Sequence, residues 1–113
     1  MKSGISTHIL DVTMGKPATG IKVELWKIEA QSKEFLSMGV TNKDGRLENA
    51  LLETVKAGEY ELLFHVEEYF KQLKIDNNFF SIIPIRFHME ESEVHYHIPL
   101  LLSGWGYQTY RGS

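Results

Sequence analysis

Cysteine is absent from the 113 residues, which removes disulfides, thiol nucleophiles and thiolate metal sites together. Such a composition fits a reducing compartment. No apolar run approaches the roughly 20 residues that span a bilayer, and none of signal-peptide character opens the chain. The expectation is a cytoplasmic protein with no membrane partner. Positive charge is not in excess either: 12 Lys and Arg stand against 15 Asp and Glu, for a net charge of −3 and a pI of about 5.9. Without a basic patch to neutralise phosphates, a nucleic-acid partner is not expected. Neither a Gly-x-Ser-x-Gly elbow nor a phosphate-binding glycine loop occurs, which argues against serine-triad and nucleotide-dependent chemistry.

What is present reads as a globular chain. Hydrophobic residues make up 42% and charged residues 24%, and the length suits a single domain over residues 1–113. Ile5–Val12 and Ile21–Ile28 are β-rich, with Gly15, Pro17 and Gly20 in the link between them. In the second, Ile21, Val23 and Leu25 alternate with Lys22, Glu24 and Trp26, the pattern of a half-buried strand. Phe35–Thr41 stops at Asn42-Lys43-Asp44-Gly45, where Asp-Gly supplies a tight turn. Residues 46–55 are less regular.

Gly58 opens another strand, with Tyr60, Leu62 and Phe64 on one side. Val66, Tyr69, Phe70 and Leu73 then form one apolar stripe on a helix of about two turns, too short to stand alone. Asn77-Asn78 breaks the chain. Ile82–Met89 and Val94–Leu102 are expected to form a hairpin across Glu90-Glu91-Ser92-Glu93, with Pro84 favouring an edge position for the first arm. Gly104 and Gly106 precede a last aromatic segment, Tyr107–Tyr110. Seven or eight short strands imply a mostly β protein, an antiparallel β-sandwich with one short helix.

His95 and His97 share one face of a strand, while Tyr96, Ile98 and Leu100 form the better core face. Three readings stay open on spacing alone. The pair is exposed and inert; or it binds a metal with a third ligand from His8, His65 or His88; or it performs acid–base chemistry, the task imidazole suits near neutral pH. His8 on the first strand, followed by Asp11, is by itself unremarkable as a site. Arg46, just past the Asp44-Gly45 turn, is placed to grip a planar anion or imide in bidentate fashion. The run from Trp105 to Ser113 carries three aromatics where frayed polar residues are usual, so it is expected to be packed. Gly112 would allow a close backbone approach.

Four segments carry a resemblance: Ser6-Thr7-His8-Ile9-Leu10-Asp11 with Gly15-Lys16-Pro17-Ala18; Thr41-Asn42-Lys43-Asp44-Gly45-Arg46; His95-Tyr96-His97-Ile98-Pro99-Leu100-Leu101-Leu102-Ser103; and Tyr110-Arg111-Gly112-Ser113. In this order, end to end, they resemble the motifs of the transthyretin-like 5-hydroxyisourate hydrolases. Gly104 and Gln108 depart from the pattern, at positions that carry no chemistry. The resemblance implies a transthyretin-like sandwich, a homotetramer built as a dimer of dimers, and ring-opening hydrolysis of 5-hydroxyisourate to 2-oxo-4-hydroxy-4-carboxy-5-ureidoimidazoline without metal or cofactor. Carried over residue by residue, it implies catalytic roles for His8, Arg46 and His97. It implies substrate contacts from Tyr110, Arg111, Gly112 and Ser113, and a supporting role for His95. The rivals are a hormone-type binding protein of the same fold without catalysis, a zinc hydrolase built on His8, His95 and His97, and a purely structural domain.

Overall fold

Alternation between apolar and polar residues folds this chain into two facing sheets, because each strand has only one side worth burying. The computed structural model describes residues 4–75, 78–90 and 95–112. Eight strands and one helix run in the order β1 (Gly4–Asp11), β2 (Lys16–Pro17), β3 (Lys22–Ile28), β4 (Lys33–Val40), β5 (Gly58–His65), α1 (Glu67–Gln72), β6 (Ile82–Met89), β7 (His95–Leu102) and β8 (Tyr107–Thr109). One sheet has the order β2-β1-β7-β8, the other β4-β3-β5-β6. The core lies between them. Ile5, Ile9, Leu100 and Leu102 from the first sheet meet Val23, Leu25, Leu62 and Phe64 from the second, all fully buried. Burying each such side chain contributes about 1.5–3 kcal/mol.

The mostly β sandwich with one short helix is as the sequence implies, but two pairings differ from expectation. The arms over Ile82–Met89 and residues 94–102 do not form a hairpin: β6 pairs antiparallel with β5, whereas β7 belongs to the opposite sheet. Each arm alternates correctly, yet alternation says which side is buried and nothing about which strand lies alongside. The turn expected at 90–93 lies largely outside the described residues, as do Val94, Asn77 and Ser113. Nor is the sandwich wholly antiparallel, since β1 and β7 run parallel over eight residue pairs.

Pro84 sits in β6, which is an edge strand as its missing N–H requires. The helix docks through Tyr69 and Phe70, both buried. Tyr69 also donates its hydroxyl to the Asp11 carboxylate at 2.6 Å, tying α1 to the end of β1. Leu73, expected on the same stripe, is 39% exposed because the helix ends at Gln72 and Leu73 is already its C-cap.

The tail also differs in how it is held. Its backbone pairs with β7, Leu100 against Thr109 and Leu102 against Tyr107, and Thr109 donates its hydroxyl to the Pro99 carbonyl at 2.7 Å. Its aromatic side chains are not buried, with Trp105, Tyr107 and Tyr110 at 64%, 41% and 54% exposure. Backbone ladder bonds, rather than a core of aromatic rings, fix this segment.

Candidate active site

The parallel register of β1 on β7 sets the site. It pairs Gly4 with His95, Ser6 with His97 and His8 with Pro99. Because Ile5, Thr7 and Ile9 face the core, Ser6 and His8 face outward. Ile98 and Leu100 likewise face inward, which turns His95 and His97 to the same outer surface. Ser6 Oγ lies 2.6 Å from His95 Nε2 and 2.9 Å from His97 Nδ1. One hydroxyl therefore bridges both imidazoles. Ser6 belongs to the first of the four motifs, and its residue type and spacing alone assign it no role. The available signal was its place two residues before His8, on the same face of the strand.

Arg46 reaches this surface through a loop organised by Asn42. The Asn42 side-chain oxygen accepts from the amides of Asp44 at 2.9 Å and Arg46 at 3.2 Å, and its backbone N–H donates to the Arg46 carbonyl at 2.8 Å. Gly45 has φ +74°, and a Cβ there would stand 2.5 Å from the Ile9 carbonyl oxygen. Only glycine allows the loop to lie so close to β1. The Ile9 amide donates to the Gly45 carbonyl at 2.9 Å, and His8 and Arg46 form a β-bridge. Arg46 thus arrives next to His8.

The tail closes the other side of His97. Gly112 forms a β-bridge with His97 and donates its amide to the His97 carbonyl at 2.7 Å. A Cβ at position 112 would stand 2.7 Å from the imidazole Cδ2, so the expected close backbone approach is real and is made to His97. Arg111 goes elsewhere. Its guanidinium lies 4.4 Å from the centroid of the Tyr96 ring, and Tyr96 alternates with His97 on the strand, so Arg111 occupies the other side of the sheet. Tyr110 and Arg111 border a groove of about 260 Å³ with Phe87, His88 and Tyr96. Among the described tail residues, then, Gly112 is the one brought against the imidazole.

Electrostatics distinguish His97. Burial first, then the positive charges of Arg46, His8 and His95, hold its imidazole below the usual histidine range. It is therefore a neutral ring with a free lone pair near pH 7. The other two histidines are not recruited: His65 is in the second sheet, its Nε2 3.4 Å from Glu24, and His88 lines the groove beside Tyr96. Among the described residues, no group of three His, Asp or Glu is placed to hold a metal ion.

The structure is a transthyretin-like β-sandwich whose outer face gathers imidazoles and a guanidinium, polar groups able to hold a small polar molecule. The chain belongs to the HIUase/Transthyretin family, whose model matches residues 5–112. It is 47% identical to a 5-hydroxyisourate hydrolase of Halalkalibacterium halodurans, over the whole of both chains. Among solved structures it is similar to Klebsiella pneumoniae 5-hydroxyisourate hydrolase, with 35% identity, a TM-score of 0.83 and coverage of 98% and 100% of the two chains. It is also similar to sea bream transthyretin in complex with thyroxine, with 26% identity, a TM-score of 0.88 and coverage of 96% and 93%.

Proposed function

We propose that this chain hydrolyses 5-hydroxyisourate, opening its ring to 2-oxo-4-hydroxy-4-carboxy-5-ureidoimidazoline. The observation that carries the reading is the neutral, half-buried His97 beside Arg46 and His8 on one face, in a chain similar over its full length to hydrolases of that name. His97 takes a proton from water through Nε2, the nitrogen not facing Ser6. The oxygen attacks the ring carbonyl while Arg46 holds the urea-like edge and stabilises the developing oxyanion. The C–N bond breaks, and His8 returns a proton to the leaving nitrogen. Positioned acid–base groups supply about 10²–10⁴-fold, a useful share for a labile substrate. No step in this scheme calls for a metal or cofactor.

In the tail, Gly112 forms a wall of the site, and Tyr110 and Ser113 are proposed to contact substrate. Arg111 is engaged over Tyr96, so within this reading it anchors the tail. Binding without catalysis would leave the His95–Ser6–His97 bridge and Arg46 without a task.

Assembly as a homotetramer, a dimer of dimers, belongs to the same proposal. β6 and β8 are edge strands, and the exposed Tyr107, Tyr110 and Trp105 at the β8 edge are the surface such pairing would cover. A cytoplasmic location goes with it, and among the described residues no helix is long and apolar enough to cross a membrane. The test of activity is direct. Purified protein is added to urate with urate oxidase, and the decay of the hydroxyisourate absorbance is followed. Acceleration above the spontaneous rate is expected; an unchanged rate overturns the reading, and loss of activity on thorough chelation would return it to a zinc hydrolase.

A further inference from the structure

The Ser6 hydroxyl has one proton and, among the described residues, two hydrogen-bond partners, His95 Nε2 and His97 Nδ1. If it donates to His95 Nε2, it must accept from His97, whose proton is then on Nδ1 and whose Nε2 is bare. If it donates to His97 Nδ1 instead, it accepts from His95 Nε2–H, and His97 carries its proton on Nε2. The two neutral rings therefore share one tautomer in either state: both protonated on Nδ1, or both on Nε2. Passage between the two states reverses the hydroxyl and moves a proton in each ring, and it converts His97 Nε2 from proton acceptor to proton donor.

We propose that Ser6 is a positioning residue for the hydrolytic reaction, locking His95 and His97 into a common tautomer and relaying a proton between them. The inference rests on the proposed function and deepens it. The proton balance is as follows. Water gives a proton to His97 Nε2 as its oxygen bonds to carbon. His97 passes its Nδ1 proton to Ser6 Oγ, and Ser6 passes its own proton to His95 Nε2. His97 ends neutral with a proton on Nε2, Ser6 is unchanged, and the positive charge rests on His95.

The arrangement explains why a second imidazole stands on this face. A cation on His97 is opposed first by the partial burial of the ring and then by Arg46, His8 and His95, which is the reason that ring resists protonation. Moving the charge across Ser6 carries it to the far side of the bridge, away from the guanidinium. Run backwards, the shuttle takes the proton from His95 through Ser6 to His97 Nδ1 while His97 Nε2 releases its proton to solvent, leaving the bare nitrogen from which the next cycle starts.

The test has two arms. In the first, ¹⁵N shifts of the imidazole nitrogens are read for the intact protein and for Ser6→Ala at a pH where both rings are neutral. A shared tautomer in the parent, lost in Ser6→Ala, is expected. Opposite tautomers in the parent overturn the proposal. In the second, Ser6→Ala is expected to lower kcat on the order of tenfold to a hundredfold with KM within about twofold, less than loss of the base itself. Ser6→Thr, which keeps a hydroxyl, is expected to restore most of it. Full kcat in Ser6→Ala, or a loss that Ser6→Thr does not rescue in a folded protein, overturns the relay. If the parent protein does not hydrolyse 5-hydroxyisourate, the function is wrong, and the shared tautomer still stands or falls by the first arm.

Discussion

Gly112 donates its amide to the carbonyl of His97 at 2.7 Å, and a Cβ at that position would stand 2.7 Å from the ring of the same residue. No substitution at 112 leaves both the bond and the imidazole in place. Gly112→Ala is therefore expected to lower kcat at least tenfold, with a small change in Tm because the contact is at the surface end of the sheet. Steady-state kinetics beside a thermal melt check this. A variant ending at Thr109 should likewise lose activity before it loses the fold, and a collapse of Tm in that variant would make the tail structural.

His97→Asn keeps a polar side chain of similar reach but cannot act as a base. Turnover should fall by about 10²–10⁴-fold with an unchanged circular-dichroism spectrum. Near-normal turnover would remove His97 from the mechanism.

The pH profile follows from the sign of the shift. His97 is held below the usual imidazole value by burial and by Arg46, His8 and His95, so it stays neutral and competent as pH falls through 6.5. The acid limb of kcat/KM is expected below that pH. Arg46→Gln removes one of the opposing charges and should move the limb to higher pH, besides weakening substrate binding. A limb at or above 6.5 in the parent protein would contradict the assignment. Because the folded state binds this proton more weakly than the unfolded chain, the same group also contributes stability above about pH 6.5 that is lost in acid.

Tyr69 tests the fold apart from the site. Its hydroxyl is buried against Asp11, and burial followed by that carboxylate holds the phenol well above its ordinary range. Tyr69→Phe leaves the carboxylate oxygen without this donor and should cost about 1–3 kcal/mol, read as a lower denaturation midpoint, with kcat unchanged.

Much of this arrangement is legible in the chain because alternation is a local property. His95 and His97 turn away from the core since Ile98 and Leu100 must turn toward it, and Pro84 marks an edge because it lacks an N–H. Gly45 announces a turn by its chemistry. Partner choice is not local. Nothing in residues 82–102 says that β6 joins β5 while β7 crosses to lie parallel to β1, because both strands bury the same kind of face in either arrangement. Ser6 is illegible for the same reason: a serine on a strand acquires meaning only when a parallel neighbour puts two histidines within reach of its hydroxyl. Arg111 shares a motif with Gly112, yet its guanidinium lies over the Tyr96 ring.

The pairing of β1 with β7 brings together residues 91 apart in sequence, Ser6 and His97. Chain entropy opposes a contact of such long range until most of the intervening sheet has condensed, and folds dominated by such pairings are slow to form. The reactive face is thus assembled late. An emerging polypeptide holds His8 and Arg46 for most of synthesis with no partner base, and gains all its chemistry at once when the two central strands meet. Recovery of activity during refolding should accordingly trail the recovery of β structure in the β4-β3-β5-β6 sheet, making the site its own report that the sandwich has closed.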